Sequence, residues 1–301
     1  MNFKHLKYFV ATAETGQVSR AAKLLSISQS AVTSSIRELE TILGSALFTR
    51  RSQGMEMTEA GRQFLQSARE ILEKVESAHF LETQNSDVSG TVTLAATYTV
   101  IGYFLPYHLG RLAQLYPKLK IRIVELNRQS IEQQLVSGLI DISVALTSNI
   151  QNPDIETVTL MKSPRRLWVP TGHPMSDMDK VSLQDIGREP YIMLTVDEAA
   201  HTSMKYWNAN NCSPNIKLRT SSVEAVRSLV ANGQGVTILS DMVYRPWSLE
   251  GRRIETVQTS VEIPTMDVGM ALRRQGTPSK AIRVLRDYFQ QSFLSPKSTL
   301  G

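Results

Sequence analysis

The sequence reads as an α/β protein that opens with an all-α, winged domain. Three observations lead there. Short helical segments with facing apolar stripes fill the chain as far as Leu43-Gly44. A small hairpin pattern and one long amphipathic helix come next. From Thr91 onward, β-like runs alternate with helical ones, as βαβ units require. A length of 301 residues suits two domains or three compact units.

In the first segment Leu6, Phe9, Val10 and Ala13 share one face, and Gly16 is placed to stop the helix. Ser19 to Glu40 then predicts two short helices joined by a tight turn. Ala21 and Ala22 are small where a second helix must approach closely. Ser28 suits the N-cap of the next helix, because its hydroxyl can accept from a free backbone N–H one turn in. Ile27 and Val32 hold the positions of a hydrophobic staple, which fixes the exit angle of that helix. Val32, Ile36 and Leu39 form its apolar stripe and, with Leu24 and Leu25, close a small core. The opposite face carries Gln29, Ser30, Thr33, Ser34 and Arg37, with no acidic side chain before Glu38. Short hydrogen-bonding groups and one cation suit the base edges of a major groove. The pattern is that of a helix-turn-helix reader of DNA, with Ser28 at its leading edge. A three-helix knot without a DNA role is the alternative.

Ala46-Leu-Phe-Thr-Arg-Arg51 and Met55-Glu-Met57 flank Ser52-Gln-Gly54, which predicts a hairpin with glycine at the turn. Arg50 and Arg51 stand where such a wing reaches phosphates or the adjacent minor groove, unless they are an ordinary solvated pair. A long helix is expected from Thr58 to about Asn85. Its stripe is Leu65, Ala68, Leu72, Val75 and His79, widened by Phe64, Ile71 and Ala78. That stripe pairs with its copy in a dimer, or packs on its own chain. A two-fold dimer would set two reading helices on two half-sites.

Composition narrows the class further. A formal net charge of +5 is compatible with a polyanionic partner. One cysteine, Cys212, forms no intramolecular disulfide and fits a reducing cytosol. No apolar run approaches the ~20 residues of a membrane span. Lys4, His5 and Lys7 interrupt the N-terminal apolar residues, so a signal peptide is not expected and a cytoplasmic location is. The histidines His5, His79, His108, His173 and His201 are scattered without metal-ligand spacing. The sequence contains no Gly-x-Ser-x-Gly, His-Glu-x-x-His or phosphate loop. Gly233-Gln-Gly235 follows a helical stretch and reads as a helix stop. No enzyme activity, cofactor or metal is expected.

In the C-terminal two-thirds, strands are expected at Thr91–Ala96, Ile121–Leu126, Asp141–Leu146, Arg166–Pro170, Tyr191–Thr195, Ile216–Thr220, Val236–Ser240 and Asp267–Leu272. Helices fall near Tyr103–Tyr116, Ser130–Ser137 and Val223–Ala231, and from about Ser279. Prolines near Ser163-Pro164 and Ile263-Pro264 mark two crossings between two subdomains, which together make a clamp. Ligands in open α/β sheets sit in the crevice beyond the carboxyl ends of the strands. Ser221-x-x-Glu224 and Ser130-x-x-Gln133 read as capping boxes, and helix N-termini there favour an anionic group. The expected pocket residues are Thr97, Thr99, Arg128, Thr147, His201, Thr202 and Ser222, with Tyr98 as a wall or lid. A cation at Arg128 fits a carboxylate or phosphate; a surface salt bridge is the alternative. His201 can bond an effector or stand solvated in a loop.

The segment from Phe9 to Thr58 resembles LysR-type transcriptional regulators, and the likeness extends over essentially the whole chain. Its carriers are Ala21-Ala22, Ser28-Gln-Ser-Ala-Val-Thr33, Ile36-Arg-Glu-Leu-Glu40, Gly44, Leu47-Phe48, Arg50-Arg51 and Met57-Thr-Glu-Ala-Gly61. The resemblance implies a winged helix-turn-helix over 1–58, a dimerising linker helix over 59–87 and an effector domain over 91–295. That last domain would resemble a type 2 periplasmic binding protein. Subdomain I is expected at 91–162 and 266–295, and subdomain II at 166–262. The resemblance also implies double-stranded promoter DNA, a small-molecule effector and RNA polymerase as partners. It implies a homotetramer built as a dimer of dimers, and both activation and repression as outputs. Gln29, Ser30 and Thr33 match its base-contacting positions, Arg37 a phosphate or base-edge contact, and Thr99 and Arg128 effector contacts. Ser34 departs, since many relatives carry arginine there, and Ser30 stands where relatives often have proline. A constitutive DNA-binding protein whose large domain only oligomerises is the competing function.

Overall fold

The computed structural model of the chain describes residues 1–25, 27–51, 54–78 and 88–294, without the side chains of Arg50, Arg51, Glu73, Glu76, Ser77, Ala78 and Leu294. These residues fall in two compact units.

In the N-terminal unit, α1 (Phe3–Thr15) starts at Asn2, whose side chain accepts from the His5 N–H while His5 reciprocates on the Asn2 N–H. Gly16, at φ 65°, ends it in the left-handed conformation, as the sequence suggests. The turn leads to α2 (Val18–Leu25) and then α3 (Gln29–Leu43). Ser28 caps α3 by accepting from the Ala31 N–H at 3.2 Å. Val32 is buried and Ile27 packs on the same cluster, so both staple positions are filled apolar contacts. Ala21 and Ala22 are buried, which lets α2 lie close to its neighbours. Phe9 is fully buried, with ring contacts to Phe48 at 5.3 Å and Phe64 at 5.1 Å. Leu24 and Leu25 flank this core half-buried, while Ile36 and Leu39 lie within it.

The hairpin is β1 (Phe48–Arg51) paired antiparallel with β2 (Gly54–Met57); its turn residues Ser52 and Gln53 lie outside the described residues. Gly54 sits against the α1–α2 turn, where a Cβ would come within 2.4 Å of the Gly16 carbonyl oxygen. The Met55 N–H donates to that same oxygen at 2.8 Å. The long helix is α4 (Glu59–Ala78), opened by Thr58, whose hydroxyl accepts from the Gly61 N–H at 3.0 Å. The expected stretch from His79 to Asn85 lies outside the described residues. The expected stripe divides. Ala68 and Leu72 are buried, and Phe64 and Leu65 pack on the unit's own core, whereas Ile71 and Val75 stay 37% and 39% exposed.

In the C-terminal unit two sheets form. The first contains β3 (Gly90–Ala96), β4 (Leu119–Glu125), β5 (Ile142–Leu146), β6 (Ile155–Ser163) and β13 (Met266–Arg273), in the order β4-β3-β5-β13-β6. The second contains β7 (Arg165–Pro170), β8 (Lys180–Val181), β11 (Thr237–Ser240) and β12 (Ile254–Thr259), in the order β11-β7-β12-β8. A further pair, β9 (Pro190–Leu194) and β10 (Asn215–Thr220), joins β11 through a Tyr191–Val236 bridge. The sheets are mixed. β3 runs parallel to β4 and β5, as the expected βαβ units require, whereas the returning strand β13 is antiparallel to both β5 and β6. The returning strand enters from the other lobe and therefore runs the opposite way.

The helices are α5 (Tyr98–Tyr103), α6 (Leu105–Leu115), α7 (Arg128–Ser137), α8 (Leu183–Ile186), α9 (Ala199–Ala209), α10 (Val223–Ala231) and α11 (Lys280–Leu294). The helix expected at about Tyr103–Tyr116 is α6, with Pro106 in its first turn, and the short α5 before it was not foreseen. Two capping expectations shift. Asn127, not Ser130, caps α7 and accepts from the Ser130 N–H at 2.9 Å. Ser222, not Ser221, caps α10, and Glu224 bonds elsewhere.

The chain passes between the lobes twice, at Pro164 and again between Thr259 and Met266. Arg165 ties the passages together by donating to the carbonyl oxygens of Pro264 and Thr265. Ser240 donates to Ser163 at 2.7 Å beside them. Among the described residues no helix is long and apolar enough to cross a membrane.

Candidate DNA-reading face and ligand cleft

The apolar stripe of α3 turns Val32, Ile36 and Leu39 into the core, so the opposite side faces out. Ser28, Gln29, Ser30, Ser34 and Arg37 are exposed and Thr33 is half-buried. Gln29 and Arg37 have no side-chain bond among the described residues. The Ser28 and Ser30 hydroxyls lie 3.0 Å apart. Ser34 donates to Glu38 at 3.1 Å. The same Glu38 meets His5 Nε2 at 3.2 Å. Because the Asn2 N–H donates to His5 Nδ1, Nε2 is the donor on that ring. The one acid on this face is therefore held by a serine of α3 and the first turn of α1.

A residue outside the sequence-based list anchors the wing. Glu40 Oε1 accepts from the backbone N–H groups of Leu47 at 2.7 Å and Phe48 at 3.2 Å. A carboxylate on the last turns of α3 thereby fixes where β1 begins. Arg50 and Arg51 lie opposite Met55 and Gly54 in the hairpin, and their side chains lie outside the description.

In the C-terminal unit a cavity of about 330 Å³ opens where β3, β4 and β5 end. Its size falls in the usual range for small-ligand sites. Thr97, Tyr98 and Arg128 line it, three of the eight residues expected there. Thr99 is buried beside it and directed at a carboxylate. Its N–H donates to Asp197 Oδ2 at 2.7 Å, and its hydroxyl donates to the same oxygen. The other four lie elsewhere. Thr147 is buried and bonded to Thr159 and the Asp267 carbonyl. His201 and Thr202 lie on α9 rather than in a loop, His201 exposed. Ser222 is spent capping α10.

Several lining residues went unrecognised in the sequence: Glu125, Asn127, Asn149, Asp197 and Glu198. Asp197 and Glu198 sit at φ 51° and 62°, left-handed positions that two consecutive non-glycine residues rarely share. Backbone of that kind costs about 1–3 kcal/mol per residue and persists where its surroundings demand it. Here the demand is visible: Asp197 takes two bonds from Thr99, and Glu198 accepts from Arg128 Nε at 2.9 Å. Arg128 also donates to Glu132 at 2.5 Å. The hydrogen bond to Glu132, then that to Glu198, pushes the guanidinium pKa up. Of the two readings of Arg128, ligand-binding cation or salt bridge, the structure shows it paired with Glu132 and Glu198.

A third carboxylate closes the same gap. Tyr103 on α5 donates to Glu224 on α10 at 2.9 Å, and Arg227 donates to that carboxylate too. Burial pushes the Glu224 carboxyl up, but the bonds from Arg227 and Tyr103 and the charges of Arg227 and Arg245 outweigh it and hold it below its ordinary value. The same burial, with Glu224 alongside, raises the Tyr103 phenol. Thr99, Arg128 and Tyr103 of the first lobe thus each donate to an acid of the second. Thr97 does not share in this: its hydroxyl is buried and has no partner, although it occupies the N-cap of α5.

An exposed polar helix on a stapled turn, in one chain with a two-lobed α/β clamp, is the design of transcriptional regulators that join a DNA-reading module to an effector-binding domain. Residues 3–62 match the family described as "Bacterial regulatory helix-turn-helix protein, lysR family", and residues 85–294 match "LysR substrate binding domain". The chain belongs to the LysR family of DNA-binding transcriptional regulators. Similar proteins include YwqM of Bacillus subtilis strain 168, an uncharacterised regulator 29% identical over 258 residues, which cover 85% of this chain and 87% of that one. The dual regulator OxyR of Escherichia coli K12 is 29% identical over 248 residues, 82% of this chain and 81% of that one. Among solved structures, HinK of Pseudomonas aeruginosa, a LysR family regulator, aligns with a TM-score of 0.63 at 28% identity, covering 97% of this chain and 98% of that one.

Proposed function

We propose that the chain binds promoter DNA as a homodimer, with α3 in the major groove, and that a small molecule in the α/β cleft modulates that binding or the bend it imposes. The outward face of Gln29, Ser30, Thr33 and Arg37 carries the reading: it offers base-edge donors and acceptors, and Gln29 and Arg37 are exposed with no competing side-chain partner among the described residues. Ser28, Ser34, Arg50 and Arg51 supply the flanking contacts in this scheme. The exposed half of the α4 stripe, Ile71 and Val75, supplies the seam between protomers. In this scheme the chain works as a homotetramer in the cytoplasm and acts on RNA polymerase as activator or repressor.

Effector control would act through the clamp, since a ligand preferring one lobe angle shifts the population toward it. An anionic effector has one specific support, the Thr99 N–H and hydroxyl, which it would have to take from Asp197. The competing constitutive reading also has one: three donor–acid contacts within the chain join the two lobes. Footprinting of the chain's own upstream region, with and without candidate ligands, separates them. A ligand-dependent change in the protected region supports effector control; protection unaltered across the candidates supports the constitutive protein. No protection at all removes the DNA-reading proposal.

A further inference from the structure

The charged groups around the cleft do not suit an anion. Glu125, Asp197 and Glu198 line it against the single guanidinium of Arg128, a formal charge of −2. Arg128 is already bonded to Glu198 and, outside the lining, to Glu132. The donors of Thr99 are taken by Asp197. Glu125, by contrast, is exposed, and its side chain makes no bond among the described residues. Thr97 lines the same cavity, and its buried hydroxyl, in a residue 3% exposed, has no partner among the described residues and adds an acceptor in the wall. Asn127, Gln129 and Asn149 carry neutral amides that serve either sign of ligand, so the carboxylates decide. The acids do not form a metal cage: among the described residues no three His, Cys, Asp or Glu side chains are grouped to hold an ion. An organic cation meets both conditions. Its ammonium offers three N–H donors, and its body can lie on Leu126, Leu146, Val196 and the exposed ring of Tyr98.

Resting on the effector-cleft reading above, we propose that the cleft takes a small ligand bearing a protonated amine, received by Glu125 together with Glu198 and the Thr97 hydroxyl. Asp197 is a built-in counter-anion in this arrangement: it fills the donors that a carboxylate ligand would need.

Three probes of one size test the sign of the ligand: benzylammonium, benzyl alcohol and benzoate, titrated into the full chain by calorimetry and melting shift. Benzylammonium is expected to bind about fivefold or more tightly than the alcohol, with benzoate the weakest. Glu125→Gln is expected to weaken benzylammonium roughly two- to fivefold and leave the alcohol unchanged. Thr97→Val should weaken it independently of Glu125. Benzoate binding as tightly as benzylammonium, no protection by benzylammonium, or indifference of its affinity to both substitutions overturns the proposal. Anisotropy of the unliganded chain on its upstream DNA is read in parallel. A failed charge preference with DNA binding intact rejects the ligand class alone, whereas absent DNA binding rejects the regulator scheme.

Discussion

Asp197 shows how much one side chain does in this molecule. It adopts a left-handed backbone that aspartate tolerates better than most residues, and one of its two carboxylate oxygens, Oδ2, takes both the N–H and the hydroxyl of Thr99. Asp197→Asn keeps the shape and the backbone tolerance but removes the charge. The expected loss is about 1–2 kcal/mol of stability in the C-terminal unit, measured by chemical denaturation. An unchanged midpoint would mean that the pair contributes nothing to holding the lobes. None of this was legible in the sequence. Val196-Asp-Glu198 looks like an ordinary acidic loop, and only the fold brings it to Thr99, nearly a hundred positions earlier. Arg128 was singled out from its place after the second strand, with a salt bridge as the alternative, and Glu132 four residues on is within sequence reach, but Glu198 arrives from the other lobe and was invisible.

At the level of elements, local chemistry was a reliable guide where it was self-contained. The Gly16 stop, the Ser28 cap and the Val32–Ile36–Leu39 stripe all depend on neighbours within a few residues, and all appear in the structure. Elements governed by tertiary partners were harder to see. β6 and β12 lack a strong alternation of their own and gain their place from β13 and β7. The packing of α6 on α11 yields a pH prediction. His108 is buried among Phe104, Phe289 and Phe293, with Tyr288 Oη 3.0 Å from Nδ1. Burial, aided by the nearby Arg111 charge, lowers its pKa from 6.5 to about 3. Between those values the unfolded chain binds the proton and the folded chain does not. Stability from this site is therefore complete above pH 6.5 and declines as the pH falls toward 3, by up to about 1.4 kcal/mol per pH unit. Denaturation midpoints followed from pH 7 to pH 4 should show the decline in the native protein and a shallower one in His108→Gln.

Across the whole molecule, the proposed function needs separate surfaces to act on one DNA. Ile71→Glu places a charge in the exposed half of the α4 stripe, so the dimer should give way to monomer in sedimentation while the fold of each unit survives. A dimer that withstands the change would move the seam elsewhere. Arg50→Ala should weaken binding to every DNA sequence alike and lower the slope of log affinity against log salt by about 1. An unaltered slope would take the wing out of phosphate contact. The two lobes themselves are joined at Arg165, whose guanidinium grips the backbone of Pro264 and Thr265 and so binds outgoing and returning strands side by side. That clasp ties the two passages at one place, so in the proposed scheme a change of lobe angle would turn about it.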